Sequence, residues 1–335
     1  MQNIIGITMG DPSGIGPEII LKSLERLKSY KVLLIGSFEV FERFNKKGIP
    51  LIQVDEFNRK FPFKKGVPVI SVQNLTMNDF TPAKPSDKSS SAVIRAIETG
   101  TKLALQGEID ALATGPINKA ALKKIGFKYP GHTEFIKELT NSRQVVMMLA
   151  GKKLKVALAT THCAYSKVPQ LLNIDDLCKV ITITYKSLIE DFGINLPKLA
   201  CAALNPHAGE DGIFGNEEIK IISPAVEICK NKGMNVSGPF PPDTVYYNAV
   251  KGNYDAVISM YHDQGLIPLK LLHFDSGVNV SLGLPIVRTS PDHGVAYDIA
   301  HKGEASEKSM LCAIKLANKI ALNRKKLGKI WKILT

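Results

Sequence analysis

Three histidines, His162, His207 and His262, each stand just beyond a short apolar run in this chain: Val156–Thr161, Leu199–Leu204 and Ala256–Met260. A neutral imidazole offers a lone pair to a metal or a proton, and strand exits are where open α/β sheets carry their ligand sites. A lone histidine near a strand end is more often structural; three at comparable positions point to a shared site. Their long separations suit a catalytic metal site assembled by a fold, because structural zinc sites use short local spacings. Three imidazoles with an open position favour a borderline ion such as Zn²⁺ or Co²⁺ over a purely oxygen-ligated one. The stretch Tyr261-His262-Asp263-Gln264-Gly265 adds a carboxylate and an amide beside one imidazole. Glu210 and Asp211 beside His207 are either acceptors for an imidazole N–H or ordinary loop acids.

Two further stretches have the chemistry of an anion site. Gly131-His132-Thr133-Glu134 opens an apolar helical pattern, so His132 and Thr133 either cap that helix or hold an anion at its start. Arg288-Thr289-Ser290 sits in a Gly- and Pro-punctuated segment, where a guanidinium beside small hydroxyls matches a phosphate or carboxylate. Gly10-Asp11-Pro12-Ser13-Gly14-Ile15-Gly16 follows a strand pattern and precedes a helix. Ile19 stands where a dinucleotide fingerprint needs its third glycine, so a tight turn explains these glycines better than a cofactor loop.

Apolar runs alternate with helical patterns along the chain, which predicts an α/β protein with a mostly parallel sheet. Strands are expected at Asn3–Met9, Lys31–Ile35, Ala111–Thr114, Lys198–Ala203, Ala256–Met260 and Val278–Leu282. An antiparallel hairpin is expected from Val145–Ala150 and Leu154–Ala159. Helices are expected at Phe38–Lys47, Ser91–Leu105, Asp175–Phe192 and Glu217–Lys232, with a long basic one at Ser306–Leu327. Residues 53–90 look irregular. The 335 residues, 44% apolar and 22% charged, suffice for one large unit or two lobes. The net charge of +12 comes without a nucleic-acid motif and with only 7% aromatic residues. It suits attraction of an anionic small molecule, or a lysine-rich surface with no further meaning. No run approaches the length of a membrane helix, no secretion signal is evident, and the five cysteines form no CxxC pair. A cytoplasmic enzyme with no nucleic-acid or membrane partner is the expectation.

Taken together, the segments resemble the 4-hydroxythreonine-4-phosphate dehydrogenase family of vitamin B6 biosynthesis. The matching blocks are Gly10–Glu18, Gly131–Glu134, Thr161-His162, Asn205–Glu210, Tyr261–Gly265 and Arg288–Gly294, so they span most of the chain. Val295 and His301 depart from the pattern. The resemblance implies an isocitrate/isopropylmalate dehydrogenase-like fold, with two α/β/α lobes around a central cleft. Residues 1–140 with 280–335 would form the first lobe and 141–279 the second, carrying the metal histidines and the dimer contacts. It implies a homodimer with its active site at the subunit interface, His162 and His207 from one subunit and His262 from the other holding zinc, cobalt or magnesium. His132, Thr133, Lys270, Asn279 and Arg288 would contact the substrate, with Asp243 and Asp263 as supporting or acid/base groups. NAD or NADP would accept hydride from 4-phosphooxy-L-threonine. The 2-amino-3-oxo acid would then decarboxylate to 3-amino-2-oxopropyl phosphate on the route to pyridoxine 5'-phosphate. Alternatives are a paralogue acting on a four-carbon aldonate 4-phosphate, a nucleotide-independent metal hydrolase, and a phosphate-ligand or acyl-phosphate transfer protein.

Overall fold

A computed structural model describes residues 2–76 and 78–334, with side chains through residue 328. The chain divides into two units, Met1–Gln144 with Leu284–Leu322, and Val145–Gly283 with Asn323–Thr335.

The first unit opens with β1 (Ile4–Thr8), α1 (Gly16–Glu25), β2 (Lys31–Gly36), α2 (Phe38–Phe44), β3 (Leu51–Val54) and β4 (Val67–Ser71). A small hairpin, β5 (Phe80–Thr81) and β6 (Lys84–Pro85), precedes α3 (Asp87–Leu105), β7 (Ala111–Thr114), α4 (Lys119–Lys124) and α5 (His132–Leu139). Every residue of β1 and β7 is buried, as near-continuous apolar runs in a parallel sheet require. Helix α3 begins a turn before its expected start because Ser86 and Ser89 cap it reciprocally, at 3.1 Å and 2.9 Å. Residues 53–90, expected to be irregular, still supply β4. It pairs in parallel with both β2 and β3 despite Pro68.

The second unit contains β8 (Val146–Ala150), β9 (Lys155–Leu158), α6 (Val168–Leu171), α7 (Ile174–Glu190), β10 (Leu199–Ala202) and α8 (Ser223–Asn231). It continues with β11 (Val236–Phe240), α9 (Pro242–Val250), β12 (Ala256–Ser259), α10 (His262–His273) and β13 (Val278–Leu282). Its sheet runs β11-β10-β12-β9-β8-β13. Strands β11, β10, β12 and β9 pair in parallel, and β8 runs antiparallel to β9 and β13. The expected hairpin is β8–β9, closed where the Gly151 amide donates to the Leu154 carbonyl at 2.8 Å. Helix α10 seats Leu266 and Leu269 on the sheet, in a core with Leu158, Val257 and Tyr246.

The chain then re-enters the first unit with β14 (Arg288–Pro291), whose sheet runs β14-β7-β1-β2-β4-β3 with every pairing parallel. The last helix is α11 (Lys308–Leu334). Residues from Asn323 onward belong with the second unit, where the expectation had placed them with the first. Two side chains explain the difference. Asn323 Nδ2 donates to the Asp191 carbonyl at 2.8 Å, and Arg324 grips the Asp191 carboxylate with Nε at 2.5 Å and Nη2 at 3.2 Å. Asp191 is buried, and a two-pronged guanidinium contact compensates it well.

Candidate active site

The sheet order of the second unit brings the three expected metal histidines to one edge. His207 follows β10, His262 opens α10 after β12, and His162 follows β9; in the sheet these strands run β10-β12-β9, all parallel. Hydrogen bonds tie the exits together. The Thr160 hydroxyl donates to the Met260 carbonyl at 2.7 Å. Buried Gln264 accepts from the Met260 amide at 2.7 Å and donates to the Ala203 carbonyl at 2.6 Å. The His162 and His262 rings of the same chain lie 5.4 Å apart, centroid to centroid. His207 stands on its own loop with its ring 6.0 Å from Phe214. Among the described residues no three His, Cys, Asp or Glu side chains form a group able to hold a metal.

His262 Nδ1 is 2.6 Å from Asp263 Oδ1, while Tyr165 donates to Asp263 Oδ2 at 2.6 Å. The Tyr165 hydroxyl first, and His262 next, hold the Asp263 carboxyl below the usual range. An Nδ1–H bonded to a carboxylate fixes the tautomer and leaves Nε2 with its lone pair, the arrangement of a metal-ligating histidine. The donor types suit a divalent ion: His162 and His262 are neighbouring imidazoles and His207 stands at the adjacent strand exit, although the three do not meet as one group in this chain. Lys270 lies farther along α10, and its charge also depresses Asp263. Asn279, on β13, has an enclosed Oδ1 without a hydrogen-bond partner among the described residues. Asp243 is an exposed residue in the first turn of α9.

The loop carrying His207 is strained. Residues 207–211 all have positive φ (52°, 54°, 79°, 42° and 52°), and only Gly209 among them is a glycine. A left-handed conformation costs an ordinary residue about 1–2 kcal/mol, so the surrounding structure must impose it. Glu218, at the start of a π-turn leading into α8, bonds the residues just before this loop. Its Oε1 accepts from the Leu204 and Asn205 amides, both at 2.8 Å, and its Oε2 accepts from Asn205 Nδ2 at 2.9 Å.

The expected anion residues His132, Thr133 and Arg288 gather in the first unit. Arg288, 2% exposed, donates from Nη2 to Thr114 Oγ1 at 2.7 Å. Burial pulls its pKa down to about 10, with the Glu134 carboxylate acting against the shift. His132 Nε2 is enclosed and has no hydrogen-bond partner among the described residues. Burial first, and the Arg288 and Lys119 charges next, push its pKa well below the usual imidazole value, so it is neutral. Thr133 is buried in the same first turn of α5, and the Lys119 side chain lies against Gly131. Two cations beside an enclosed neutral imidazole have the chemistry that a phosphate or carboxylate oxygen requires. Lys119 and Thr114 escaped the sequence reading. Lys119 opens the short helix α4, where a lysine carries no mark of a ligand role.

The loop Gly10–Gly16 is held structurally. Tyr297 donates to Asp11 Oδ2 at 2.5 Å and accepts from Asn118 Nδ2 at 2.8 Å; the Ser13 amide donates to Asp11 Oδ1 at 2.9 Å. Burial raises the Asp11 pKa despite these bonds. The two departing residues serve this loop: the Val295 carbonyl accepts from the Ile15 amide at 3.0 Å, and His301 Nε2 bonds the Pro12 carbonyl at 2.8 Å.

Comparison first places the molecule in a fold class. Isocitrate dehydrogenase from Methylococcus capsulatus superposes with a TM-score of 0.51 at 13% identity, over 99% of this chain and 89% of that one. This is the α/β fold of the isocitrate dehydrogenases. The chain belongs to the family described as pyridoxal phosphate biosynthetic protein PdxA, whose model matches residues 28–317. A protein from Desulforapulum autotrophicum named 4-hydroxythreonine-4-phosphate dehydrogenase is 46% identical, over 94% of both chains. One from Pectobacterium atrosepticum named D-threonate 4-phosphate dehydrogenase is 45% identical, over 96% of this chain and all of the other. The crystal structure of 4-hydroxythreonine-4-phosphate dehydrogenase from Klebsiella pneumoniae is 41% identical with a TM-score of 0.87, over 96% of this chain and 100% of that one.

Proposed function

We propose that the protein oxidises 4-phosphooxy-L-threonine with NAD⁺ or NADP⁺, giving the 2-amino-3-oxo acid that loses CO₂ to form 3-amino-2-oxopropyl phosphate. The observation that carries this is the enclosed anion seat of Arg288, Lys119 and His132, in a chain of the family above. Arg288 supplies two-pronged recognition of the phosphate or carboxylate. Neutral His132, as its Nε2–H tautomer, donates to an anionic oxygen without adding charge. Thr133 and Asn279 add polar contacts, and Lys270 a cation. His162, His207 and His262 hold a zinc, cobalt or magnesium ion, which when bound polarises substrate oxygens. Asp263 keeps the Nδ1 proton on His262, and Tyr165 fixes Asp263. Asp243 remains a candidate acid/base group.

We also propose a homodimer in the cytoplasm. Helix α10 and the Phe274 that follows it expose Ile267, Leu271 and Phe274 (61%, 82% and 79%) along one stripe, in the helix that His262 opens, and a second copy would cover it. All five cysteines are free, as a reducing compartment favours.

The second reading, a D-threonate 4-phosphate dehydrogenase, is favoured by the 45%-identical Pectobacterium protein. NADH formation with both substrates, with chelator and after metal re-addition, decides between them. Metal-dependent NADH formation with the 2-amino substrate is expected. Turnover only with the aldonate selects the second reading. Product formation without any reduced nucleotide overturns both.

A further inference from the structure

We propose that Glu218 is a positioning residue for His207: its carboxylate holds the chain in the left-handed turn that presents this imidazole. The inference rests on His207 being a metal ligand. Four non-glycine residues, His207, Ala208, Glu210 and Asp211, occupy left-handed backbone in one uninterrupted turn. Such a run does not persist without an external template. The template is Glu218, 3% exposed, which takes three N–H donors from the two residues that lead into the turn. Glu217 adds a second grip, accepting from Asn205 Nδ2 at 2.7 Å. The turn also closes against the carboxylate. A Cβ on Gly209 would stand 2.7 Å from Glu218 Oε2 and 3.1 Å from the Gly215 carbonyl, so only glycine lets the two surfaces meet. The bonds between residues 209–210 and 213–214, 3.1 Å each, fix the exit of the turn and leave its entry to Glu218. Glu218 lies eleven positions from His207 in the sequence, and it orients that ring through backbone alone.

The test uses the full-length protein and Co²⁺ as the probe, with binding and visible absorption read for wild type, Glu218→Gln, Glu218→Ala, Gly209→Ala and His207→Ala. Glu218→Gln keeps one acceptor oxygen for the two amides but sets an NH₂ against Asn205 Nδ2, so it folds while losing part of the grip. Expected is a loss of Co²⁺ affinity of about 10- to 100-fold in Glu218→Gln and Gly209→Ala, as for partners that orient metal ligands. The Co²⁺ absorption band should change shape while the far-UV spectrum stays near wild type. If Glu218→Ala does not fold, the other two variants carry the result. Wild-type Co²⁺ affinity and absorption in both Glu218→Gln and Gly209→Ala, with binding lost in His207→Ala, overturn this inference alone. Unchanged binding in His207→Ala overturns the three-histidine site and this inference with it.

Discussion

Replacing Arg288 by methionine should separate two quantities that usually fall together. The guanidinium is buried, and its pKa is pulled from 12.5 to about 10 by desolvation, so the site holds a charge that would be better off in water. Each pKa unit is worth about 1.4 kcal/mol, which puts that penalty at about 3 kcal/mol. Against it stands the charge-assisted bond to Thr114, worth about 1.5–3 kcal/mol. The two nearly cancel, so Arg288→Met should leave the unliganded protein within about 2 kcal/mol of wild type. Loss of a buried, bonded residue ordinarily costs more. The ligand-bound state should respond differently. One charge-assisted contact to a phosphate or carboxylate gone, at about 1.5–3 kcal/mol, means weaker anion binding by roughly 10- to 150-fold. Thermal unfolding of both proteins across a phosphate titration reads both effects at once. Expected are similar midpoints without phosphate and a phosphate-induced rise that is nearly lost in the variant. A variant that drops by many degrees without ligand yet keeps the full phosphate response would refute the anion-seat argument.

Three other outcomes are expected. His132 has its pKa pushed below the usual imidazole value, so the unfolded chain binds a proton that the folded one excludes; stability should fall as pH drops below about 6.5, by at most about 1.4 kcal/mol per pH unit, and His132→Asn should flatten that slope in urea titrations. Arg324→Ala leaves the buried Asp191 carboxylate unpaired and should destabilise the second unit by about 3–5 kcal/mol, visible as a lower urea midpoint; an unchanged midpoint would show the pair to be dispensable. Tyr297→Phe strips one donor from buried Asp11 and should cost about 1–3 kcal/mol by the same assay, with Asp11→Asn losing no more when added to it.

What the sequence disclosed follows from what is local. Apolar runs such as Ala256–Ser259 and Leu199–Ala202 are buried parallel strands whose composition alone announces them. The turn at Gly151-Lys152-Lys153 marks the β8–β9 hairpin equally well. Segments whose identity depends on distant neighbours stayed hidden. Strand β14 reads Arg-Thr-Ser-Pro, a loop by composition, yet all four residues are buried because β7 flanks it and Thr289 donates to the Ala313 carbonyl at 2.9 Å. Val236–Phe240 contains Gly238-Pro239, turn formers by rule, and is still an edge strand beside β10. Tyr261–Lys270 reads only as the stretch past a strand end and is mostly helix, with Pro268 inside it. At the site, His132, Thr133 and Arg288 were legible by residue type. Lys119, Glu218 and Tyr165 were not, since a lysine, a glutamate and a tyrosine in ordinary helical or turn context carry no mark of what they will touch.

The interrupted first unit sets an order of events on the ribosome. Its sheet includes β14, which pairs with β7, but residues 145–283 are translated between these two strands. At about 5–20 residues per second that delay is on the order of ten seconds, far longer than hairpin or helix formation. The second unit emerges as one continuous stretch apart from the end of α11. It can therefore complete its sheet while the earlier-made β1–β7 assembly still exposes the flank of β7. Chaperone dependence should concentrate in that interval, on the N-terminal half of a nascent chain that has started first and finishes last.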